Sequence, residues 1–378
     1  MGVKKRLADH QFVCWIAGGA VRDFCLGRGV DEFDLVTDAT TDVLKSLFPE
    51  AVLVGESFGV LKIPTGAGDF FDLATFRQES DYIDGRRPSH VEAATPTKDG
   101  QRRDFTVNAM FWDDVREVIV DDEGGREALA TKRLVCVGDP EIRFTEDYLR
   151  ILRLLRFAAV LGFSMEEKTY AAASRHLGGL SKISGERIWA ELKKIKYPGN
   201  WRFVLENNLM RDLLYSLIGE GELRSQAVSE SVTETMAVLY LLRPEQDLTP
   251  FLKQKLKVSN NELQLYQHIK FLMQWSPEKS SAELAFAVEK NPALRETFLS
   301  LVKQKLLLKN SAEKVENLLV LYPQALISAQ EISELIPKHL TSEEFKNLRL
   351  GQLLGTFQTK EQVLAYLSEK YAEKNEKT

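Results

Sequence analysis

The sequence has few cysteines and no long uninterrupted hydrophobic run. Its three cysteines, Cys14, Cys25 and Cys136, show no C-x-x-C spacing and form no even-numbered set. This favours a reducing compartment with buried thiols over a disulfide-stabilised fold. The apolar run LLRFAAVLGF is too short to cross a bilayer, and the first residues lack the apolar core of a signal peptide. We therefore expect a soluble, cytoplasmic protein.

The sequence also lacks a strong charge of one sign. Its net charge is −5, so any binding to nucleic acid must come from local basic patches. Charged residues make up 28% and hydrophobic residues 44%, which is ordinary for a soluble globular protein. With 378 residues, two or more domains are expected.

The hydrophobic pattern changes character along the chain. Residues 1–125 alternate short strand-like runs with turns, whereas from about Asp139 onward apolar residues recur at three and four positions, as helices require. Six strands are predicted, over residues 13–17, 33–36, 51–54, 58–63, 70–76 and 118–120. The pattern indicates a mixed α/β head followed by an all-helical remainder, with the boundary near residue 125.

Residues 16–38 carry the first chemical pattern. A strand ends at Gly18-Gly19, a short helix follows, and a second strand carries Glu32 and Asp34. Alternate residues of a strand share a face, so these two carboxylates lie side by side, an arrangement suited to Mg²⁺. The Gly-Gly turn lets backbone N–H groups approach an anion. An acid-x-acid triplet on an exposed strand is also common by chance.

Two further stretches extend this pattern. Asp72 lies among apolar residues of a predicted strand and would complete a carboxylate triad, unless it is an edge-strand acid facing water. The next 25 residues show no sustained periodicity and hold Arg77, Tyr82, Arg86 and Arg87. We interpret them as a mobile lid suited to phosphate and base contacts, with a disordered surface loop as the alternative.

Residues 102–109, RRDFTVNA, combine two arginines with Asp104 and Asn108. Arginine forks suit triphosphate oxygens, and the Asp104 and Asn108 side chains suit ribose hydroxyls. A surface ion pair is the alternative.

The sequence EDYLR, residues 146–150, is predicted to open a long helix. Asp147 and Arg150 would then lie on one helix face. A carboxylate accepting from an exocyclic amine, beside a guanidinium donating to a ring nitrogen, matches cytosine and adenine and opposes guanine and uracil. The alternative is an i, i+3 salt bridge, worth about 0.2–0.5 kcal/mol on an exposed helix.

Basic residues follow along this region. Arg150, Arg153 and Arg156 recur along one side of the predicted helix. A second basic cluster comprises Lys182, Arg187, Lys193, Lys194 and Lys196. Such clusters suit a path for an RNA backbone, although a solvated helix face explains each of them as well.

The order and spacing of these motifs resemble a known family. GGAVRD, EFDLVTDA, the FR…Y.DGRRP stretch, RRDFTVNA, EDYLR and ISGERIWAEL follow one another over residues 13–200 as in the class II tRNA nucleotidyltransferases. That family includes the bacterial CCA-adding enzymes, which this chain resembles most, and poly(A) polymerases.

The resemblance implies an α+β fold, with a polymerase-β-type nucleotidyltransferase head followed by an all-helical neck, body and tail. It places the catalytic head at residues 1–125, the neck with its nucleotide template at 126–200, and a tRNA-binding body and tail at 201–378. It implies two Mg²⁺ ions, the substrates CTP and ATP, and tRNA as partner; we favour a monomer.

The resemblance also implies residue roles. Glu32 and Asp34 would be catalytic metal ligands, with Asp72 as a further catalytic carboxylate. Asp147 and Arg150 would form the template, steadied by Glu146. The other expected nucleotide-binding residues are Gly18, Gly19, Arg22, Asp23, Arg103, Asp104, Asn108, Arg153 and Arg156.

Two positions depart from the family pattern. Glu32 stands where the family usually has aspartate, and Ala128 stands where it commonly has an acid in the hinge after the glycine-rich stretch. The expected function is template-independent addition of C and A to the tRNA 3′ end. The alternatives are an enzyme adding only the terminal A, a poly(A) polymerase, or a non-catalytic RNA-binding protein on this scaffold.

Overall fold

The computed structural model of the chain divides into two compact units. The first comprises residues 1–221 with 255–257, and the second comprises residues 222–254 and 258–378. The structure describes residues 2–30, 33–54, 59–64, 70–82, 88–195, 201, 205–219, 223, 235–274, 281–303, 309–321 and 324–372.

The first unit contains all the described strands. They are β1 (Trp15–Ala17), β2 (Asp34–Thr37), β3 (Val52–Val54), β4 (Val60–Pro64), β5 (Phe70–Thr75), β6 (Arg77–Tyr82), β7 (Pro88–Ala93), β8 (Phe111–Asp113), β9 (Val118–Val120), β10 (Arg133–Leu134) and β11 (Ser164–Met165). Seven of them form one sheet in the order β3-β4-β5-β2-β1-β8-β9. Strands β2 and β5 pair in parallel, and the other neighbours are antiparallel.

Helices account for most of the rest of this unit. They are α1 (Val3–Ala8), α2 (Gly19–Cys25), α3 (Thr41–Leu47), α4 (Pro96–Gln101), α5 (Gly125–Ala130), α6 (Pro140–Glu146), α7 (Leu149–Leu161), α8 (Glu167–His176), α9 (Gly185–Leu192) and α10 (Asn208–Ile218), with 3₁₀ turns at Thr106–Asn108 and Leu177–Lys182. Local signals set several bounds: the Asp139 side chain caps α6 ahead of Pro140, and α7 ends at Gly162 in the left-handed conformation.

Alternation along β2 positions both the core and the site. Leu35 points into an apolar cluster with Leu44 of α3 and Leu73 of β5. Val36 points to the opposite face, where it packs with Phe76 and other apolar residues. Asp34 lies two residues before Val36 and therefore projects from the same face of the sheet as Val36, opposite the cluster that contains Leu35.

The six predicted strands each overlap an observed strand, but the interpretation of residues 76–100 as irregular was wrong. Strands β6 and β7 form an antiparallel ribbon, and α4 follows it. The ribbon side chains that are largely buried are the charged Arg77 and Glu79, whose exposed fractions are 14% and 9%. Because the buried positions of this ribbon are ion-paired charged residues and not apolar ones, the sequence shows no hydrophobic alternation there. Arg86 and Arg87 lie outside the described residues.

The cysteines differ in burial. Cys14 and Cys136 are buried as expected, and burial raises the pKa of each thiol to about 12. The expectation was wrong for Cys25, which is exposed because it lies on the outer side of the last turn of α2. All three are free thiols.

All the secondary structure described in the second unit is helical. Its helices are α11 (Thr235–Leu242), α12 (Asn260–Met273), α13 (Ser281–Lys290), α14 (Pro292–Lys303), α15 (Lys309–Leu321), α16 (Ala329–Leu335), α17 (Thr341–Leu353) and α18 (Lys360–Ala372); a π-helical turn, Phe251–Lys255, precedes α12. Ser259 and Ser328 begin α12 and α16 with capping boxes. The predicted α+β head with a small mixed sheet, followed by a helical remainder, is confirmed.

Buried polar contacts help to hold this unit together. Arg349, 2% exposed, donates to Glu289 and to the Gln324 carbonyl oxygen. Glu344, also buried, accepts from Lys370 and Tyr371. No described helix is both long enough and apolar enough to span a membrane.

Candidate active site

A cavity of about 650 Å³ opens beside the sheet of the first unit. It brings together every predicted site residue except Asp23 and Glu32. Asp23 pairs with the lining residue Arg22, and Glu32 lies outside the described residues. The lining residues that were predicted are Gly18, Gly19, Arg22, Asp34, Asp72, Arg103, Asp104, Asn108, Asp147, Arg150, Arg153 and Arg156. Cationic side chains outnumber acidic ones in the lining, which suits a polyanionic ligand.

The Gly18-Gly19 turn requires glycine at its first position. Gly18 has φ +69° and donates its N–H to the Met110 carbonyl oxygen. A Cβ atom there would lie 2.7 Å from Nη1 of Arg103. The positive φ therefore favours glycine at this position, and a Cβ atom would displace the Arg103 guanidinium.

Asp104 and Asn108 belong to one buried hydrogen-bond network. Asn108 Oδ1 accepts from Nη1 of Arg22 at 2.6 Å, and its Nδ2 donates to Asp104 Oδ1 at 3.0 Å. The other oxygen of Asp104 accepts from Nε of Arg153 at 2.6 Å. Burial alone would raise the pKa of Asp104, but Arg153, Asn108 and the Phe105 N–H lower it to about 2. The network therefore keeps Asp104 ionised and fixes two arginines at the cavity wall.

A second network holds Arg102 and Arg103. Asp99, fully buried on α4, accepts from Arg102 at 2.9 Å and from Arg103 at 3.0 Å. Glu79 of β6 accepts from Arg77 and Arg102, each at 2.9 Å. Burial alone would raise the pKa of Asp99, but the two guanidinium groups lower it. Sequence reasoning missed Asp99, although its spacing to the arginines, three and four residues on a helix, was a usable signal.

Phe157 was missed because an apolar residue on α7 is indistinguishable from core by sequence. Its ring, 5% exposed, contacts three guanidinium groups, those of Arg22, Arg153 and Arg156, with centroid distances of 5.2, 5.3 and 3.9 Å. Glu191 of α9, also missed, accepts from Arg156 Nε at 2.6 Å. The ring and Glu191 together hold positive charge on one side of the cavity.

The predicted long helix begins within the EDYLR motif, at Leu149, but Asp147 precedes it, which corrects the prediction that Asp147 and Arg150 share one helix face. Helix α6 ends at Glu146, Asp147 is extended with φ −146° and ψ 104°, and α7 begins at Leu149. The break arises because the Asp147 carboxylate accepts from the Leu149 N–H and from Arg187 of α9, at 3.1 Å each. The local sequence does not show where the α9 arginine lies.

Arg150 is held from the opposite side of the break. Its Nη1 donates to Glu146 at 2.8 Å, and its Nη2 donates to the Arg102 carbonyl oxygen at 3.1 Å. Arg143 pairs with the same Glu146 carboxylate. Asp147 and Arg150 therefore line the cavity with separate supports, an arrangement different from the i, i+3 salt bridge considered as the alternative.

Two of the three predicted carboxylates lie next to each other. Asp34 and Asp72 are register partners on the parallel strands β2 and β5, and both line the cavity. Asp72 also accepts from Lys62 Nζ at 2.6 Å. Among the described residues there is no group of three or more histidine, cysteine or acidic side chains placed to hold a metal ion.

Two protein-family models match parts of the chain. The "Poly A polymerase head domain" covers residues 14–135, and the "Probable RNA and SrmB- binding site of polymerase A" covers residues 162–207. The CCA-adding enzyme of Lactococcus lactis subsp. lactis (strain IL1403) is 36% identical over 273 residues, which are 68% of this chain and 67% of that protein. The enzyme of L. lactis subsp. cremoris (strain MG1363) is 40% identical over 203 residues, and this alignment spans half of its length and 53% of this chain.

Solved structures share the fold. The Bacillus stearothermophilus CCA-adding enzyme in complex with CTP superposes with a TM-score of 0.77 at 23% identity, covering 100% of this chain and 98% of that one. The Thermotoga maritima CCA-adding enzyme complexed with tRNA gives a TM-score of 0.66 at 18% identity, covering 97% and 93%. At these identities the superpositions establish the architecture alone.

Proposed function

The chain belongs to the family of CCA-adding enzymes, and we propose that it adds C and A to the 3′ end of tRNA from CTP and ATP. The observation that carries the proposal is the single cavity lined by the adjacent carboxylates Asp34 and Asp72, a row of arginines, and the pair Asp147 and Arg150. Chemistry on a triphosphate and selection of a base would take place within the same space.

The proposed selection rests on Asp147 and Arg150. The carboxylate accepts from the exocyclic amine of cytosine or adenine, and the guanidinium donates to the adjacent ring nitrogen. Guanine and uracil present the opposite polarity at this edge and would leave buried polar groups unsatisfied. The contacts of Asp147 with Arg187 and of Arg150 with Glu146 support this role, because a recognition pair must be held rigidly.

The proposed triphosphate and ribose contacts lie on the other walls. Arg22, Arg103 and Arg153 direct positive charge at the cavity, where triphosphate oxygens would bind. Asp104 and Asn108 are the proposed ribose partners, already oriented by their mutual hydrogen bond. In the proposed reaction the tRNA 3′ hydroxyl attacks the α-phosphate in line and pyrophosphate leaves, so these residues contribute by positioning and charge neutralisation.

The donor set fits the two Mg²⁺ ions implied by the family resemblance. Asp34 and Asp72 supply hard carboxylate oxygens in register at the cavity wall, with Glu32 as the further proposed ligand from outside the described residues. The Lys62 ammonium is bound to Asp72 and would compete with a metal ion for that carboxylate. Bound Mg²⁺ would lower the pKa of the attacking hydroxyl and neutralise triphosphate charge.

The proposal is tested with tRNA transcripts that lack one, two or all three terminal nucleotides. The protein is incubated with Mg²⁺ and one or both of CTP and ATP, and the products are sized on a gel. We expect addition that stops after CCA. Extension only of the transcript that lacks the final A, repeated A addition, or no product would point to the A-only enzyme, the poly(A) polymerase or the non-catalytic protein, respectively.

The metal-ligand role is tested with Asp34→Ala. We expect loss of incorporation with tRNA binding largely retained, because the carboxylate serves chemistry and not RNA docking. Asp42→Ala is the matched control, since the Asp42 side chain is 96% exposed. Retained turnover in Asp34→Ala would refute the metal assignment.

The selection role is tested with Arg150→Ala. We expect UTP and GTP to be accepted more readily, with a smaller effect on the rate with CTP, because the guanidinium discriminates the base edge. Arg116→Ala, at a side chain 75% exposed, is the control. Unchanged rejection of UTP and GTP would contradict the template assignment.

A further inference from the structure

Tyr148 lies in the break between α6 and α7, between the two proposed template residues. Its φ of −59° and ψ of −20° turn the chain from the extended Asp147 into α7. Its carbonyl oxygen accepts from the Ile151 N–H, and the Asp147 carbonyl oxygen accepts from the Arg150 N–H. Any movement of the Tyr148 backbone therefore changes the direction in which Asp147 and Arg150 project.

The Tyr148 ring packs directly on the backbone of Gly179, in the 3₁₀ turn Leu177–Lys182. A Cβ atom built on Gly179 would lie 2.0 Å from Cδ1, 2.1 Å from Cε1 and 2.6 Å from Cγ of the ring. Only a glycine permits this approach. The Lys182 ammonium lies 5.2 Å from the ring centroid and adds a cation–π contact from the same turn.

The contact at Cγ determines what a side chain at position 179 would do. Rotation about the Cβ–Cγ bond leaves Cγ in place, so turning the ring does not relieve that overlap. Relief requires a different χ1 rotamer of Tyr148, a shift of its backbone, or a shift of the 3₁₀ turn that carries Gly179. Each of these changes alters the packing of the ring that supports the break between Asp147 and Arg150.

We propose that Tyr148 and Gly179 are positioning residues for nucleotide selection, because their packing sets the orientation of Asp147 and Arg150. This inference rests on the proposed function, in which those two residues read the base edge. Arg187 provides a second support through its hydrogen bond to Asp147 Oδ2 at 3.1 Å. The ring fixes the backbone of the break, whereas Arg187 fixes the carboxylate, so each restrains a different degree of freedom.

The test substitutes the two neighbouring glycines separately. Gly179→Ala places a methyl group in the Tyr148 ring, whereas a Cβ atom on Gly178, in the same 3₁₀ turn, meets nothing within 4 Å. The full-length protein is assayed for addition of CTP and of UTP to a tRNA transcript that lacks its terminal CCA. The readout is the ratio of the kcat/KM values for the two nucleotides. Thermal melting of each variant reports whether it is folded.

We expect Gly179→Ala to reduce the preference for CTP over UTP by about tenfold, the effect of one misaligned hydrogen bond, and Gly178→Ala to leave it unchanged. Tyr148→Leu should reduce it as well, which keeps the test valid if Gly179→Ala does not fold. In a Tyr148→Ala background, Gly179→Ala should have no further effect on the ratio, because the ring it displaces is absent.

The outcomes separate this inference from the proposed function. A wild-type protein that incorporates CTP and UTP equally would refute the template itself. A wild-type protein that discriminates, together with folded Gly179→Ala and Tyr148→Leu variants that discriminate equally well, would overturn the positioning role alone. A purely structural role would lower the melting temperature and leave the ratio unchanged.

Discussion

The substitution Asp104→Asn isolates the charge at the centre of the cavity wall. Asparagine has nearly the same shape, and its Oδ1 can still accept from the Phe105 N–H and from Asn108 Nδ2, as Asp104 Oδ1 does at 2.8 and 3.0 Å. Its amide nitrogen, however, would face Nε of Arg153, which donates to Asp104 Oδ2 at 2.6 Å. The charge-assisted hydrogen bond between Arg153 and Asp104 is thereby lost, and two N–H donors, one from Arg153 and one from the new amide, face each other.

The pKa of Asp104 sets the size of the effect. The native environment lowers it from 3.8 to about 2, so the folded protein favours the carboxylate over the neutral acid. At about 1.4 kcal/mol per pKa unit, the charge contributes about 2 kcal/mol to the free energy of unfolding. Because Asp104 is 7% exposed, solvent screening reduces this value little. We expect the free energy of unfolding of Asp104→Asn to be about 2 kcal/mol lower than that of the wild type at pH 7.

The pH dependence has a defined sign. The folded-state pKa lies below the unfolded value, so the contribution is complete above about pH 4 and disappears as the pH falls towards 2. The difference in stability between wild type and Asp104→Asn should therefore be constant from pH 7 to 5 and narrow below pH 4.

The assay is urea unfolding of the full-length protein at pH 7, 5 and 3.5, followed by circular dichroism. Asp42→Asn is the control, because that side chain is 96% exposed and should change stability little at any of these pH values. An Asp104→Asn variant as stable as wild type, or a difference that widens below pH 4, would show that the Arg153 contact does not hold the carboxylate ionised.

Three further predictions concern other parts of the chain. Phe157→Leu removes the ring beneath three guanidinium groups, and we expect CTP binding, measured by titration, to weaken a few-fold while the fold is retained. Gly18→Ala forces a left-handed residue against Nη1 of Arg103 and should lower stability by about 1–2 kcal/mol, measured by urea unfolding. Ser328→Ala removes the capping box of α16 and should cost about 1 kcal/mol, whereas Ser333→Ala, which removes no cap, should be nearly neutral in the same measurement.

Local spacing in the sequence determined much of the site. The pattern around Asp34 predicted a strand over residues 33–36, and β2 overlaps it. Gly18-Gly19 predicted a turn ahead of a short helix, and φ +69° at Gly18 is the conformation that glycine alone adopts readily. The order of the motifs predicted the family and the α+β fold with its helical remainder.

Only the tertiary structure decided which of these residues meet and what supports them. Asp34 and Asp72 become neighbours through the parallel pairing of β2 with β5, and Asp104 meets Arg153 from a distant helix. The break at Asp147 depends on Arg187 of α9, and no pattern within EDYLR encodes that contact. Short-range periodicity reports the conformation of a segment, whereas charge pairing and buried hydrogen bonds arise between segments and exist only once the chain has folded.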